Sequence, residues 1–251
     1  EKEELATGAE VKEAVIKGDD AKIDYCNLYE VRRPVLYKVA AEFTERANSA
    51  HKKSYKTFCK AEAHWLDDYA LYMTIKEEQQ KSWQDWPEPL RKRQEKALIE
   101  IRSKHKAALE THKVVQWMFA EQWAKVREKA REAGVQILGD IPIFVALDSA
   151  DAWANADLIQ FDKDRKPIAV AGVPPDYFSA DGQLWGNPLY KWEKHEKEGF
   201  AWWKDRIRSA LRLYDMVRID HFRGFAGYWS VPAEAENARG GAWKKAPGEK
   251  L

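Results

Sequence analysis

Residues 217–225 read VRIDHFRGF, an apolar run that ends on a dense group of ionisable side chains. Arg218 and Asp220 are two residues apart, so in an extended strand they share a face. A guanidinium beside a carboxylic acid favours the ionised form, and an ionised, oriented carboxylate can act as a nucleophile. His221 and Arg223 add polar groups at the same strand end. A second apolar run, VQILGD, ends on Asp140. In parallel α/β folds the chemistry collects at the carboxyl ends of strands, so Asp140 and Asp220 are predicted to face one crevice from neighbouring strands. A plainer reading stands beside this one. Strand-end aspartates also cap turns, and an Arg–Asp pair is often a purely structural ion pair.

Aromatic residues supply the second chemical signal. Trp153, Tyr177, Phe178, Trp185, Tyr190 and Trp192 are interleaved with Asp176, Ser179, Asp181, Gln183 and Asn187. Flat apolar faces next to hydrogen-bonding side chains suit a carbohydrate, whose rings offer C–H faces to stack on and hydroxyls to bond. Trp65, Trp117, Trp123, Trp202 and Trp203 sit in helical patterns and are expected in the core.

The elements that must position these residues follow from periodicity. Up to about residue 134 the pattern is helical. Trp65, Leu66, Tyr69, Ala70 and Met73 form one helical face, two prolines in WQDWPEP (83–89) interrupt the pattern, and residues 90–109 read as another helix. A third helix from about His112 is predicted to bury Val115, Met118, Phe119, Gln122 or Trp123, Val126 and Ala130, and to end at Gly134. Beyond it, residues 135–145 (VQILGDIPIFV) read as a buried strand. Residues 146–192 read as one long loop, and a loop that long in a compact domain is usually functional. A helix at 200–214 and a strand at 215–220 follow. Strand, helix, strand is a βαβ unit, which requires a parallel pair.

Composition narrows the functional classes. Of 251 residues, 45% are hydrophobic and 33% charged, a soluble globular balance. A net charge of +1 gives no basic surplus for nucleic acid. Cys26 and Cys59 form no CxxC, so neither a disulfide framework nor a zinc site is expected, and a cytoplasmic location fits. No HExxH, GxGxxG or P-loop pattern occurs; no metal or cofactor is expected. No apolar run reaches membrane-spanning length, and no leader pattern is seen. The chain starts without Met and stops on KKAPGEKL, so both ends read as cut.

Three ordered stretches, GDIPIFVALDSADAW, VAGVPPDYFSADGQLWGNPLYKW and VRIDHFRGFAGYW, closely resemble the 4-α-glucanotransferases (amylomaltases, disproportionating enzymes) of glycoside hydrolase family 77, in the α-amylase clan. HWLDDYALYMTIKEEQQKSWQDWPEPLRKR and the tail WKKAPGEKL agree as well. The resemblance covers essentially the whole chain. It implies an α/β fold that is part of a (β/α)8 TIM barrel, contributing the third strand (VQILGD) and fourth strand (DMVRID). Residues 1–133 would be a mostly helical insertion subdomain with the preceding barrel helix, and 134–251 the partial catalytic barrel with its long glucan-binding loop. Asp220 would be the catalytic nucleophile and Arg218 the residue that keeps it ionised. Asp140 would support the first subsite. Asp176, Tyr177, Phe178, Trp185 and Asn187 would contact glucan, with His221 orienting its neighbours at the substrate. The implied reaction is a retaining double displacement. The donor is an α-1,4-glucan, the acceptor glucose or a maltodextrin, and the site is cytoplasmic, or plastidial in a plant.

The same family carries its acid/base glutamate in a motif like LAEDLG and a further aspartate in a motif like THDN; neither occurs in this sequence. Glu234 and Glu236 match neither. The segment by itself is therefore expected to be inactive, and to be unstable or to associate. Two other readings compete: a non-catalytic α-glucan-binding module, and an α-amylase-type hydrolase. The run DIPIFV, where a hydrolase would carry an Asp-x-x-x-Asn-His pattern, argues against the latter.

Overall fold

A computed structural model describes residues 5–16, 18 and 21–251. The chain divides into two units, 1–78 with 98–122, and 79–97 with 123–251. The first unit is helical. Its described elements include α1 (Gly8–Glu13), α2 (Arg33–Ala41) and most of α3 (Ser49–Gln79). It also holds parts of α4 (Glu95–Lys104) and α5 (Lys106–Glu132). Its core gathers Leu5, Val39, Ala40, Phe43, Ala47, Val114 and Trp117. Buried in the same unit is Glu10, which closes a capping box with Thr7. Its two oxygens also take both terminal nitrogens of Arg46, at 2.6 and 2.9 Å. These bonds from Arg46 hold the Glu10 carboxyl far below the usual carboxylate range.

Three expectations for this half are corrected. Residues 90–109 are not one helix: Arg93 adopts a left-handed φ of 53°, and α4 and α5 are separate. On α5 the buried residues are Thr111, His112, Val114 and Trp117, whereas Phe119 and Val126 are half exposed. The helix carries two apolar stripes, and the sequence does not say which one faces the core. The division of the chain also differs from a boundary at 133/134. Residues 79–97 go with the second unit because Trp83 and Trp86 are buried there. Trp83 Nε1 donates to the Leu147 carbonyl at 2.8 Å, and Trp153 Nε1 to that of Leu90 at 3.0 Å.

The second unit holds two sheets. Strands β1 (Leu138–Pro142) and β4 (Met216–Asp220) pair in parallel, as the βαβ reading requires, with α8 (Ala201–Leu213) leading into β4. The other sheet is antiparallel, in the order β3-β2-β5-β6. It comprises β2 (Ala169–Val173), β3 (Gln183–Pro188), β5 (Gly227–Pro232) and β6 (Ala242–Lys245). The stretch expected as one long loop is therefore substantially built. It contains α6 (Ala150–Ala154), β2 and β3, and α7 (Trp192–Lys197) begins at its end. Three of its aromatics, Trp153, Tyr190 and Trp192, are buried. They are core residues rather than exposed sugar platforms. Conversely, Trp65, Trp123 and Trp202 are only partly buried.

Register in the parallel pair is set at its entrance. Ile137 N donates to Asp215 Oδ2 at 2.8 Å, Asp215 N returns a bond to the Ile137 carbonyl at 2.9 Å, and Arg127 holds the other Asp215 oxygen at 2.8 Å. Behind β1, Gly139 is buried against Tyr214; a Cβ there would lie 2.1 Å from the tyrosine ring. Where β1 ends, the Ile143 carbonyl accepts from Tyr190 Oη at 2.8 Å and Arg206 at 3.0 Å.

Two stability predictions follow from this packing. Gly139→Ala should lower stability by about 1–3 kcal/mol, since overpacking pushes Tyr214 off its site; a thermal melt of the variant matching that of the parent would contradict the close approach. His195 lies fully buried among Tyr190, Trp192 and Trp202, with Glu198 Oε1 3.8 Å from its Nδ1. Burial pushes its imidazole down from the ordinary 6.5 to about 4. The folded state thus takes up its proton later than the unfolded state. The stabilisation is complete above about 6.5 and is lost as pH falls from there toward 4, by about 3.5 kcal/mol at about 1.4 kcal/mol per pKa unit. Melting temperature against pH should flatten across that window in His195→Phe; an unchanged slope would assign the acid sensitivity elsewhere.

Candidate active site

The site is built on the pairing of β1 with β4. Asp140 lies opposite Arg218 and Pro142 opposite Asp220. Side chains alternate, so Leu138, Asp140 and Pro142 of β1 fall on one exposed face with Met216, Arg218 and Asp220 of β4. This face is apolar where the strands begin and charged where they end. Asp140 and Asp220 occur on adjacent strands, as their sequence positions led one to expect, but only Asp220 ends its strand; β1 runs two residues past Asp140 to Pro142.

The guanidinium of Arg218 goes to a partner that spacing did not indicate. Its Nε donates to Asp140 Oδ1 at 3.0 Å, and its Nη2 donates to Asp140 Oδ2, a two-pronged clamp across the strands. Arg218 holds the Asp140 carboxyl below the usual range, and Asp140 in turn raises Arg218. Asp220 contributes charge attraction to Arg218 on top of this. Arg218 thus makes its hydrogen bonds to Asp140 and offers Asp220 a fixed positive charge. Strand register decides that pairing, and register is invisible in the spacing of a single strand.

Immediately after Asp220 the backbone changes hand. His221 has φ 54°, a conformation unusual for a non-glycine residue although histidine tolerates it better than most. The turn at Phe222–Phe225 follows at once, so the strand stops at the carboxylate. The His221 ring meets the Trp185 ring edge-on, with centroids 4.9 Å apart and planes at 86°. Burial lowers the His221 pKa, with the charge of Asp220 opposing. Trp185 comes from β3, and its Nε1 donates to Gln183 Oε1 at 3.0 Å. The contact joins the antiparallel sheet to the end of β4, and neither partner's sequence context reveals it.

The remaining candidates sort by what they touch. Asp176 shapes its own loop, its Oδ1 accepting from the amides of Phe178 and Ser179, both at 2.9 Å. Held on that turn, Tyr177 and Phe178 project almost wholly into solvent. Asn187 Nδ2 donates to the Val145 carbonyl at 2.9 Å, which ties β3 to the segment leaving β1. Part of the polar capacity of Asp176 and Asn187 is therefore spent on structure. Glu234 and Glu236 lie after β5, in the segment that joins it to β6. Among the described residues no group of His, Cys, Asp and Glu could hold a metal, and no helix is long and apolar enough to cross a membrane.

Comparison with known proteins agrees with this architecture. A family model described as 4-alpha-glucanotransferase matches residues 2–251. The 4-alpha-glucanotransferase of Aquifex aeolicus is 47% identical over 243 residues, covering 96% of this chain and 50% of that protein. That of Thermus thermophilus is 47% identical over 231 residues, covering 92% and 46%. The chloroplastic/amyloplastic enzyme of Solanum tuberosum is 42% identical over 233 residues, covering 92% and 40%. Among solved structures, amylomaltase from Streptococcus agalactiae in complex with acarbose superposes with a TM-score of 0.91 at 39% identity, over 98% of this chain and 50% of that one. The chain thus spans about half the length of the curated relatives it matches. With a family match over residues 2–251, on a parallel strand pair that carries Asp140 and Asp220 on one face, the chain belongs to the 4-alpha-glucanotransferase family.

Proposed function

We propose that the protein containing this chain transfers α-1,4-glucan segments between maltodextrins by a retaining double displacement, with Asp220 as nucleophile. One observation carries the assignment of roles: Asp220 is the last residue of β4, exposed, two residues beyond a guanidinium that is itself clamped. A nucleophilic carboxylate must stay ionised and must point one way. The strand fixes its direction, the turn at His221 ends the strand behind it, and Arg218 supplies an immobile positive charge. Asp140 acts through Arg218, holding the guanidinium with both oxygens.

In the first step an oxygen of Asp220 attacks the anomeric carbon of the donor. The glycosidic bond breaks, and the departing sugar takes a proton from a second carboxyl group that lies outside these residues. In retaining enzymes the two carboxyl groups stand about 5–5.5 Å apart. In the second step the 4-hydroxyl of an acceptor sugar attacks the anomeric carbon and gives its proton to the same second group, now a carboxylate, while the bond to Asp220 breaks and frees its carboxylate. Transfer prevails over hydrolysis when sugar, rather than water, occupies the acceptor position. The exposed rings of Tyr177 and Phe178, with Trp185 against His221, supply apolar faces for pyranose stacking and for excluding water. The substrates implied are maltooligosaccharides, starch or glycogen as donors and glucose or maltodextrins as acceptors. No metal or organic cofactor enters these steps. The proposed location is the cytoplasm, or the plastid in a plant.

The full-length protein incubated with maltotriose should release glucose together with a ladder of longer maltodextrins, whereas a hydrolase gives only shorter products. Asp220→Asn should lower kcat by on the order of 10³-fold or more, as for loss of a covalent nucleophile. A retained ladder in that variant would remove Asp220 from the role. Arg218→Lys should lower kcat by about 10–100-fold with KM changed little, since a lysine cannot reproduce the two-pronged bond to Asp140. An unaltered kcat would show that the clamp is structural only.

A further inference from the structure

A second aromatic group lies on the antiparallel sheet, and none of the roles above uses it. Trp243 on β6 is 45% exposed. Directly opposite it on β5 is Trp229, with ring centroids 5.5 Å apart and planes at 69°. Trp229 is fixed. Its Nε1 donates to the Ala238 carbonyl at 2.8 Å, and Gly241 packs so closely that a Cβ would fall 2.2 Å from that nitrogen. The Arg223 guanidinium lies over Trp243, 4.0 Å from the ring centroid. Among the described residues its side chain makes no hydrogen bond or ion pair. Arg223 belongs to the turn that begins two residues after Asp220.

We propose that Trp243 and Arg223 form a platform for an α-glucan chain, binding a part of the chain away from the bond being exchanged. This rests on the proposed function above and extends it to the recognition of chain length. An exposed tryptophan on an edge strand, braced by a second ring that cannot turn, presents a flat apolar surface at little entropic cost. A guanidinium held in a plane by its stacking keeps all five N–H donors for other partners. Flat ring and fixed donors together match a pyranose, with its C–H face and rim of hydroxyls. Because Arg223 follows the nucleophile by three residues, a glucan long enough to reach the platform gains binding that a short one does not.

The test uses the full-length protein. In an Asp220→Asn background, calorimetric titration with maltoheptaose should show Kd about tenfold weaker for Trp243→Ala, with Trp243→Phe restoring most of the loss and maltotriose affected far less. With the nucleophile intact, kcat/KM for maltoheptaose should fall at least several-fold more than that for maltotriose in both Trp243→Ala and Arg223→Gln. Equal losses on the two substrates, an unchanged Kd, or a Trp243 shielded from acrylamide quenching in the intact protein would each overturn the platform. The proposed reaction fails separately: if the unmodified protein produces no ladder, glucan transfer is wrong, and the chain-length dependence of Kd still decides the platform.

Discussion

The parallel register of β1 and β4 is the constraint on which the rest depends. With Asp140 opposite Arg218, the guanidinium is taken up across the strands and not along its own strand. A slip of one residue would turn every side chain of one strand to the other face, separating Asp140 from the Arg218 guanidinium that faces Asp220. The chain fixes this register at both ends. At the entrance the Asp215 carboxylate, held by Arg127, accepts from the Ile137 amide, and the Asp215 amide donates to the Ile137 carbonyl. Tyr190 and Arg206 converge on the Ile143 carbonyl at the exit. Between them, the absent side chain of Gly139 lets Tyr214 seat against the strand.

The antiparallel sheet gives this strand pair its surroundings. Its β3 brings Trp185 against His221, its β2–β3 turn carries Tyr177 and Phe178, and its β5–β6 hairpin carries the Trp229–Trp243 pair. The buried rings and the exposed ones divide the labour. Trp153, Tyr190, Trp192 and Trp203 close the core beneath, and their burial places the others at the surface. Ten of the 12 tryptophans belong to this unit, where they serve both packing and surface.

The sequence reveals those parts of the fold that depend on local period. The run to Asp140, the run to Asp220 and the amphipathic helix between them are all visible as periodicity, and their order alone requires a parallel pair. The antiparallel sheet is not visible in this way. Strand β2 pairs with β3 on one side and on the other with β5, which follows β4, so pairing rather than local period identifies 169–173 and 183–188 as strands. The aromatics of that stretch looked alike in sequence, yet Tyr177 is exposed and Tyr190 buried. Asp140, Arg218 and Asp220 were legible as a group from strand ends. The Arg218–Asp140 bond and the Trp185–His221 contact were not, because each joins strands that lie far apart in the sequence.

The central claim is that the Asp220 carboxylate forms the covalent bond to the glucan. Its most direct test is to trap that bond in the full-length protein with a maltotriosyl fluoride whose terminal 4-hydroxyl is removed, so that the donor reacts but cannot serve as acceptor. Proteolysis and mass spectrometry then locate the adduct. A glycosylated peptide spanning 216–223, with the sugar on Asp220, is the expected result. An adduct on any other carboxylate, or rapid fluoride release without an adduct on Asp220 at any time point, would contradict the account.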